Sequence, residues 1–268
     1  MSKAAAFEIL DTAWSLGIRA FDTAEAYGSS ALRLREWIDE RGNAEAVEVI
    51  TKCSMSVEQS LAAVEENADN ALSRFHGIRR LVLLSHGAVG ADRWPVLIAA
   101  AKRHGSSPGQ SVYSAGEVRS ACELPGVEKL QVPGNILDNR AIAARRDASV
   151  NLDVRSIYLQ GILLEDSEQA DQRAPGSGKF VAAVQSAAAD ADTPLAPLLI
   201  ASMLTTIRAS DRLVIGVDHV SELDSLPAAF DISDDTLREF QKRVGSLADD
   251  PAVSTFVDPR DWTPQIVR

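Results

Sequence analysis

Short runs of aliphatic and β-branched residues recur along the chain, and each is followed by a longer stretch with apolar positions at helical spacing. The runs predict strands at residues 18–22, 47–51, 81–85, 110–113, 129–132, 154–158 and 213–217, seven in all. Helices are expected between them at 30–40, 57–75, 92–103, 115–122 and 194–207, with another at 233–244. Strand and helix in regular alternation is the mark of parallel βα units, and so even an alternation favours a barrel over an open sheet. The opening element breaks the pattern. Ser2 can cap a helix on which Phe7, Leu10 and Trp14 share one face, and Gly17 ends it. A barrel of this kind closes with eight strands and normally starts with one. The expectation is therefore a (β/α)8-type α/β barrel lacking its first strand, with unpaired edges that the chain's tail, a second copy in a homodimer or water must cover. Residues 105–109 and 172–178 read as loops, and nothing in the pattern divides the chain, so 1–268 is read as one domain. Its last stretch, 249–268, carries prolines with Phe256 and Trp262 and is read as an irregular tail.

Composition narrows the function more than the fold. A net charge of −11 excludes a nucleic-acid partner, because neutralising phosphates takes clustered Lys and Arg. No run of about twenty apolar residues is present, so no membrane partner is expected. The first residues lack the pattern of a secretory or transit peptide, which points to the cytoplasm. Cys53 and Cys122, the two cysteines, are too few for a disulfide framework and fit a reducing compartment. His76, His104 and His219 show no metal-ligand spacing.

In βα barrels the reacting groups sit where strands end, at the C-terminal rim. Asp22 ends the first predicted strand, Lys52 follows the second, His86 follows the third, and Tyr27 lies in the loop after Asp22. Each has an ordinary explanation on its own: a helix cap, a packed aromatic, a surface charge, a core histidine. Three successive strands delivering ionisable groups to one rim is harder to explain that way. The set suits carbonyl reduction. When hydride reaches a carbonyl carbon the oxygen gains negative charge and needs a proton, and a phenol can donate it if a nearby ammonium stabilises the phenolate. Lys52 would supply that ammonium with Asp22 orienting it, and His86 would hydrogen-bond the carbonyl oxygen.

These residues carry a resemblance. GIRAFDTAEAYGSS from Gly17 resembles the aldo-keto reductase motif of a strand followed by Asp and Tyr-Gly. ITKCS at Ile50 looks like that family's lysine segment, LVLLSHG at Leu81 like its histidine segment, LQVPGNILDNR at Leu130 like its glutamine motif, and RSIYLQGILL at Arg155 and LVIGVDHVSEL at Leu213 like the last two strands. The last three are most similar to a bacterial subgroup. The resemblance implies a TIM barrel that reduces an aldehyde or ketone, sugar-like by the subgroup, with NADPH or NADH. It further implies that Ser111 and Gln131 hold the nicotinamide carboxamide, that Arg155 stands where relatives stack an aromatic on the ring, and that the segment with Gly216, Val217, Asp218 and Glu222 meets the adenosine end of the cofactor. Carboxylates at Asp218 and Glu222 repel a 2′-phosphate and suit a free ribose hydroxyl, which puts NADH level with NADPH. Two alternatives remain open: a cofactor-independent lyase or isomerase using the same four residues as acid and base, and a catalytically silent barrel.

Overall fold

The computed structural model describes residues 1–262; the final six residues of the expected tail lie outside the described residues. Seven strands are present among the described residues, in the number and order expected: β1 Ala20–Asp22, β2 Glu48–Cys53, β3 Arg80–His86, β4 Ser107–Ser111, β5 Lys129–Pro133, β6 Asn151–Arg155 and β7 Arg212–Leu213. They are hydrogen-bonded in chain order, and the pairs from β1 to β5 are parallel. Eleven α-helices are present among the described residues: α1 Lys3–Ser15, α2 Ser30–Arg41, α3 Leu61–Ser73, α4 Trp94–Arg103, α5 Ala115–Cys122, α6 Arg140–Ala143, α7 Ser167–Arg173, α8 Gly178–Asp190, α9 Leu195–Thr206, α10 Ser225–Phe230 and α11 Asp234–Gly245. None of the described helices is long and apolar enough to cross a membrane.

The chain groups into two compact units. Among the described residues, the first holds 1–132, 144–153 and 217–223, and the second holds 133–143, 154–216 and the residues from 224 onward. In the first, parallel pairing buries both faces of the middle strands, so burial runs almost unbroken along β2 and β3, taking in Thr51, Lys52 and Ser85 as well as their apolar residues. Ile50, Val82 and Leu84 pack together there, with Ala20 against them. The opening helix forms as its cap predicts: the Ser2 hydroxyl accepts from the Ala5 N–H at 3.2 Å, and Gly17 takes the left-handed φ of +89° that ends it. Its Trp14 meets the edge of Trp37 on α2 at 5.7 Å between centroids, and the Trp37 indole N–H donates to Asp11 at 2.8 Å. In the second unit α8, α9 and α11 share an apolar core with Phe180, Leu198, Phe240 and Phe256.

Two strands, β4 and β6, start three residues earlier than the pattern suggests. Ser107-Pro108-Gly109, within the stretch read as a loop, is the first half of β4. A Cβ at Gly109 would stand 2.2 Å from the Lys129 carbonyl oxygen, so this glycine marks the close approach of a neighbouring backbone and not a turn. β6 begins at Asn151 and ends at Arg155, because Ser156 turns to a φ of +63°. The loop expected at 172–178 shrinks to four residues between α7 and α8.

Candidate active site

Parallel strands put their C-terminal ends on one side, and the register of the first unit aligns the polar positions there. Asp22 pairs with Ile50, Lys52 with Leu84, His86 with Ser111, and Ser111 with Gln131. Four consecutive strands thus present a polar side chain at or next to their ends, and Gln131, in the middle of β5, pairs with the last of them.

The loop after β1 is held to β2 by its backbone: the Thr23 N–H donates to the Ile50 carbonyl at 2.8 Å and the Glu25 N–H to the Lys52 carbonyl at 3.3 Å. A turn comes next in which the Tyr27 N–H donates to Ala24 O and the Ser30 N–H to Tyr27 O, with Gly28 at a left-handed φ of +59°. The Thr23 hydroxyl donates to that of Ser30 across the loop at 3.0 Å. The phenol is thereby carried on a short, closed loop. It is 46% exposed, so its ring is open to solvent while its backbone is fixed.

Lys52 is the opposite case, a lysine whose side chain is wholly buried. A buried ammonium needs charge and acceptors around it. It donates to the Asp22 carboxylate at 2.5 Å and to the Thr23 carbonyl at 3.1 Å, and its Nζ lies 5.0 Å from the centroid of the Tyr27 ring. The exposed His86 ring meets the Tyr27 ring edge-on, 6.0 Å between centroids. All four residues picked out in the sequence therefore come together. Charge is balanced in the set, since the carboxylate and the ammonium offset one another and leave a neutral phenol beside them.

Two further residues join them. The Gln131 side-chain amide N–H donates to the second carboxylate oxygen of Asp22 at 2.8 Å, and its carbonyl accepts from the Ser111 hydroxyl at 3.4 Å. Both side chains are buried. No local signal could show the link to Asp22, because it joins β5 to β1 across 109 residues of sequence. Arg93 was also unforeseen. Its guanidinium, before α4, donates to the carbonyls of Val57 and Gln59 at 3.0 and 2.9 Å and pins the loop between β2 and α3. Cys53, next to Lys52, has a thiol pushed up to about 12 by burial, which makes it a poor nucleophile.

The remaining sequence candidates fall in other segments. Val217, Asp218 and Glu222 belong to the first unit, where one Glu222 carboxylate oxygen accepts from the N–H groups of Asp218 at 2.8 Å and His219 at 3.3 Å, closing its own turn. Gly216 and Arg155 belong to the second unit; Arg155 ends β6, half-buried, with its guanidinium donating to the Ser156 hydroxyl at 3.3 Å. Among the described residues no group of His, Cys, Asp and Glu is placed to hold a metal ion.

Comparison with known proteins agrees with this picture. Residues 1–86, which include Asp22, Tyr27, Lys52 and His86, match the model of the Aldo/keto reductase family. No curated protein matches the chain. Among solved structures it is similar to a thermostable aldo-keto reductase in complex with the inhibitor epalrestat, at 16% identity and a TM-score of 0.66, covering 90% of this chain and 88% of that one. It is also similar to an aldo-keto reductase enzyme from a Medee basin deep-sea metagenome library, at 15% identity and a TM-score of 0.63, covering 91% and 86%. At these identities the likeness establishes the fold: α/β, of the (β/α)8 type that aldo-keto reductases share, here with seven strands among the described residues.

Proposed function

We propose that this chain is an aldo-keto reductase-type oxidoreductase that reduces an aldehyde or ketone with NADPH or NADH, Tyr27 giving the proton. The observation that carries the reading is the fully buried Lys52 ammonium, held 2.5 Å from Asp22 with the Tyr27 ring 5.0 Å away. A protein gains nothing structural by burying a charge pair that apolar residues of the same size would replace at no loss of stability. As a device for stabilising a phenolate, the pair has a use. The family match over the same residues points the same way.

In this reading Tyr27 donates its proton to the carbonyl oxygen as negative charge builds there. Lys52 stabilises the phenolate left behind, and Asp22 keeps Lys52 charged and aimed. His86, exposed beside the phenol, donates a hydrogen bond to the same oxygen and orients the carbonyl. The nicotinamide cofactor, when bound, supplies the hydride. The donor set at β4 and β5 suits an amide: Gln131 has a second N–H besides the one given to Asp22, and Ser111 keeps acceptor capacity, so both fit a carboxamide. Arg155, Gly216, Val217, Asp218 and Glu222 would serve the rest of the cofactor. Glu222 spends one oxygen on its own turn and keeps the other for a ribose hydroxyl. An acidic segment favours NADH at least as much as NADPH. Sugar-like carbonyl compounds are the proposed substrate class.

The test is a fluorescence titration of the purified protein with each reduced cofactor. Saturable binding of one of them below millimolar concentration is expected, and no binding of either at that concentration overturns the reading.

A further inference from the structure

We infer that Gln131 is a positioning residue for the proton donor: through Asp22 it sets how firmly Lys52 holds the Tyr27 phenolate, independently of any contact it makes to a cofactor. The inference rests on the same assignment of Tyr27 as acid, and goes beyond it in naming a buried chain of hydrogen bonds that fixes the acid's strength.

The orientation of the amide is set by chemistry. A carboxylate accepts only, so the atom 2.8 Å from Asp22 must be the amide nitrogen, which turns the amide carbonyl toward Ser111, whose hydroxyl donates to it. The links run from Ser111 on β4 to Gln131 on β5, to Asp22 on β1, and to Lys52 on β2. Gln131 and Ser111 are 1% and 2% exposed, so water cannot take over a lost partner without rearrangement.

Each carboxylate oxygen of Asp22 has its own donor, Gln131 for one and Lys52 for the other. Without the Gln131 donor the carboxylate loses a bond that favours its ionised form and is free to rotate off Lys52. A buried ammonium with a weakened counter-charge gives up its proton more readily, and the phenolate of Tyr27 then loses its cation. Glutamine suits this place because it donates without bringing charge. A lysine here would add a second cation, and a glutamate would set one carboxylate against another. The titratable and charged groups around the phenol include Lys52, His86 and Asp22, with Cys53 next to Lys52 on β2 and Glu25 on the Tyr27 loop. Glu25 is drawn away by Arg74, at 3.1 and 3.2 Å to its two oxygens. Of these, only Asp22 and, through it, Lys52 are linked to Gln131, so the effect reports on the Asp22 link.

The experiment is a spectrophotometric pH titration of tyrosine ionisation, without cofactor or substrate. The chain has three tyrosines, and subtracting the curve of Tyr27→Phe in each background isolates Tyr27. In Gln131→Met the Tyr27 midpoint is expected to rise by about one pH unit. Gln131→Asn, one methylene shorter and unable to reach Asp22, is expected to do the same and serves if the methionine variant fails to fold. A Tyr27 midpoint equal to wild type in a folded variant overturns the inference. The measurement needs no turnover, so its failure is distinct from that of the reductase reading: an absent cofactor affinity overturns the latter while a shifted midpoint upholds the former.

Discussion

Removing Asp22 and removing Lys52 break the same ion pair, yet the two changes should have unequal effects on stability. The Lys52 side chain is 0% exposed and that of Asp22 is 16% exposed. Lys52→Met replaces the ammonium by an apolar side chain of similar length in an apolar place. The carboxylate left behind still accepts from Gln131 at 2.8 Å and still touches solvent, so the cost is about 1–2 kcal/mol. Asp22→Asn leaves a wholly buried ammonium without its counter-charge, and the amide must turn its NH2 group toward one of the two donors, Lys52 or Gln131, which together put the cost at about 3–5 kcal/mol. The pH dependence has a definite sign. In Asp22→Asn the lysine sheds its proton on folding, so the unfolded chain binds more protons and stability rises with pH until unfolded lysine itself titrates near ~10.4. Urea unfolding followed by circular dichroism between pH 7 and 9.5 measures both effects. At about 3 kcal/mol per molar the asparagine variant should unfold at least ~0.3 M earlier than the methionine variant at pH 7, with the gap narrowing as pH rises. Equal midpoints at pH 7 and a gap that does not move with pH would refute the account of Lys52 as a buried, carboxylate-dependent cation.

Two other outcomes are expected. Gly109→Ala should prevent stable folding or cost more than about 3 kcal/mol in thermal or urea unfolding, because its Cβ would lie 2.2 Å from backbone at Lys129 and 2.6 Å from Leu84; a variant of wild-type stability would contradict the tight β3–β4–β5 packing. Cys53 is buried with its thiol held up near 12 whereas Cys122 is part-exposed, so a thiol reagent at pH 8 should label Cys122 and spare Cys53 in the folded protein, as read by peptide mass mapping. The raised thiol also means that the unfolded chain ionises first, and above about pH 8.5 this group pulls the equilibrium toward unfolding.

Hydrophobic periodicity gave the number and order of the seven strands and placed α5 to the residue, because buried parallel strands and amphipathic helices leave strong local patterns, but the strand expected at 213–217 is only Arg212–Leu213. It failed where one backbone meets another or turns sharply. Ser107-Pro108-Gly109 spells a turn in sequence and a strand in space, since only glycine admits the Lys129 carbonyl; the Pro108 carbonyl still accepts from the Glu128 N–H at 3.3 Å. The end of β6 depended on a positive φ at Ser156, which no side-chain pattern announces. Helix α3 begins at Leu61, four residues later than expected, because Arg93 takes the carbonyls of Val57 and Gln59 and Ser60 caps the helix beyond them. In the candidate site, Asp22, Tyr27, Lys52 and His86 were legible because Asp22 and His86 end strands, Lys52 is the last residue but one of its strand and Tyr27 is in the loop after β1, and parallel topology brings such positions together. The bond from Gln131 to Asp22 was not, because it depends on which strands face each other across the first unit. Glu222 was read from sequence as a cofactor contact, and the hydrogen bonds it makes to Asp218 and His219 show a local use that a linear motif does not reveal.

The central claim is that Tyr27 is a proton donor in carbonyl reduction. Steady-state oxidation of NADPH or NADH by a simple aldehyde, measured for wild type and Tyr27→Phe beside cofactor affinity for both, tests it directly. Wild type is expected to turn over, and the variant to lose at least ~100-fold in kcat with its cofactor affinity unchanged. Turnover preserved in Tyr27→Phe would contradict it.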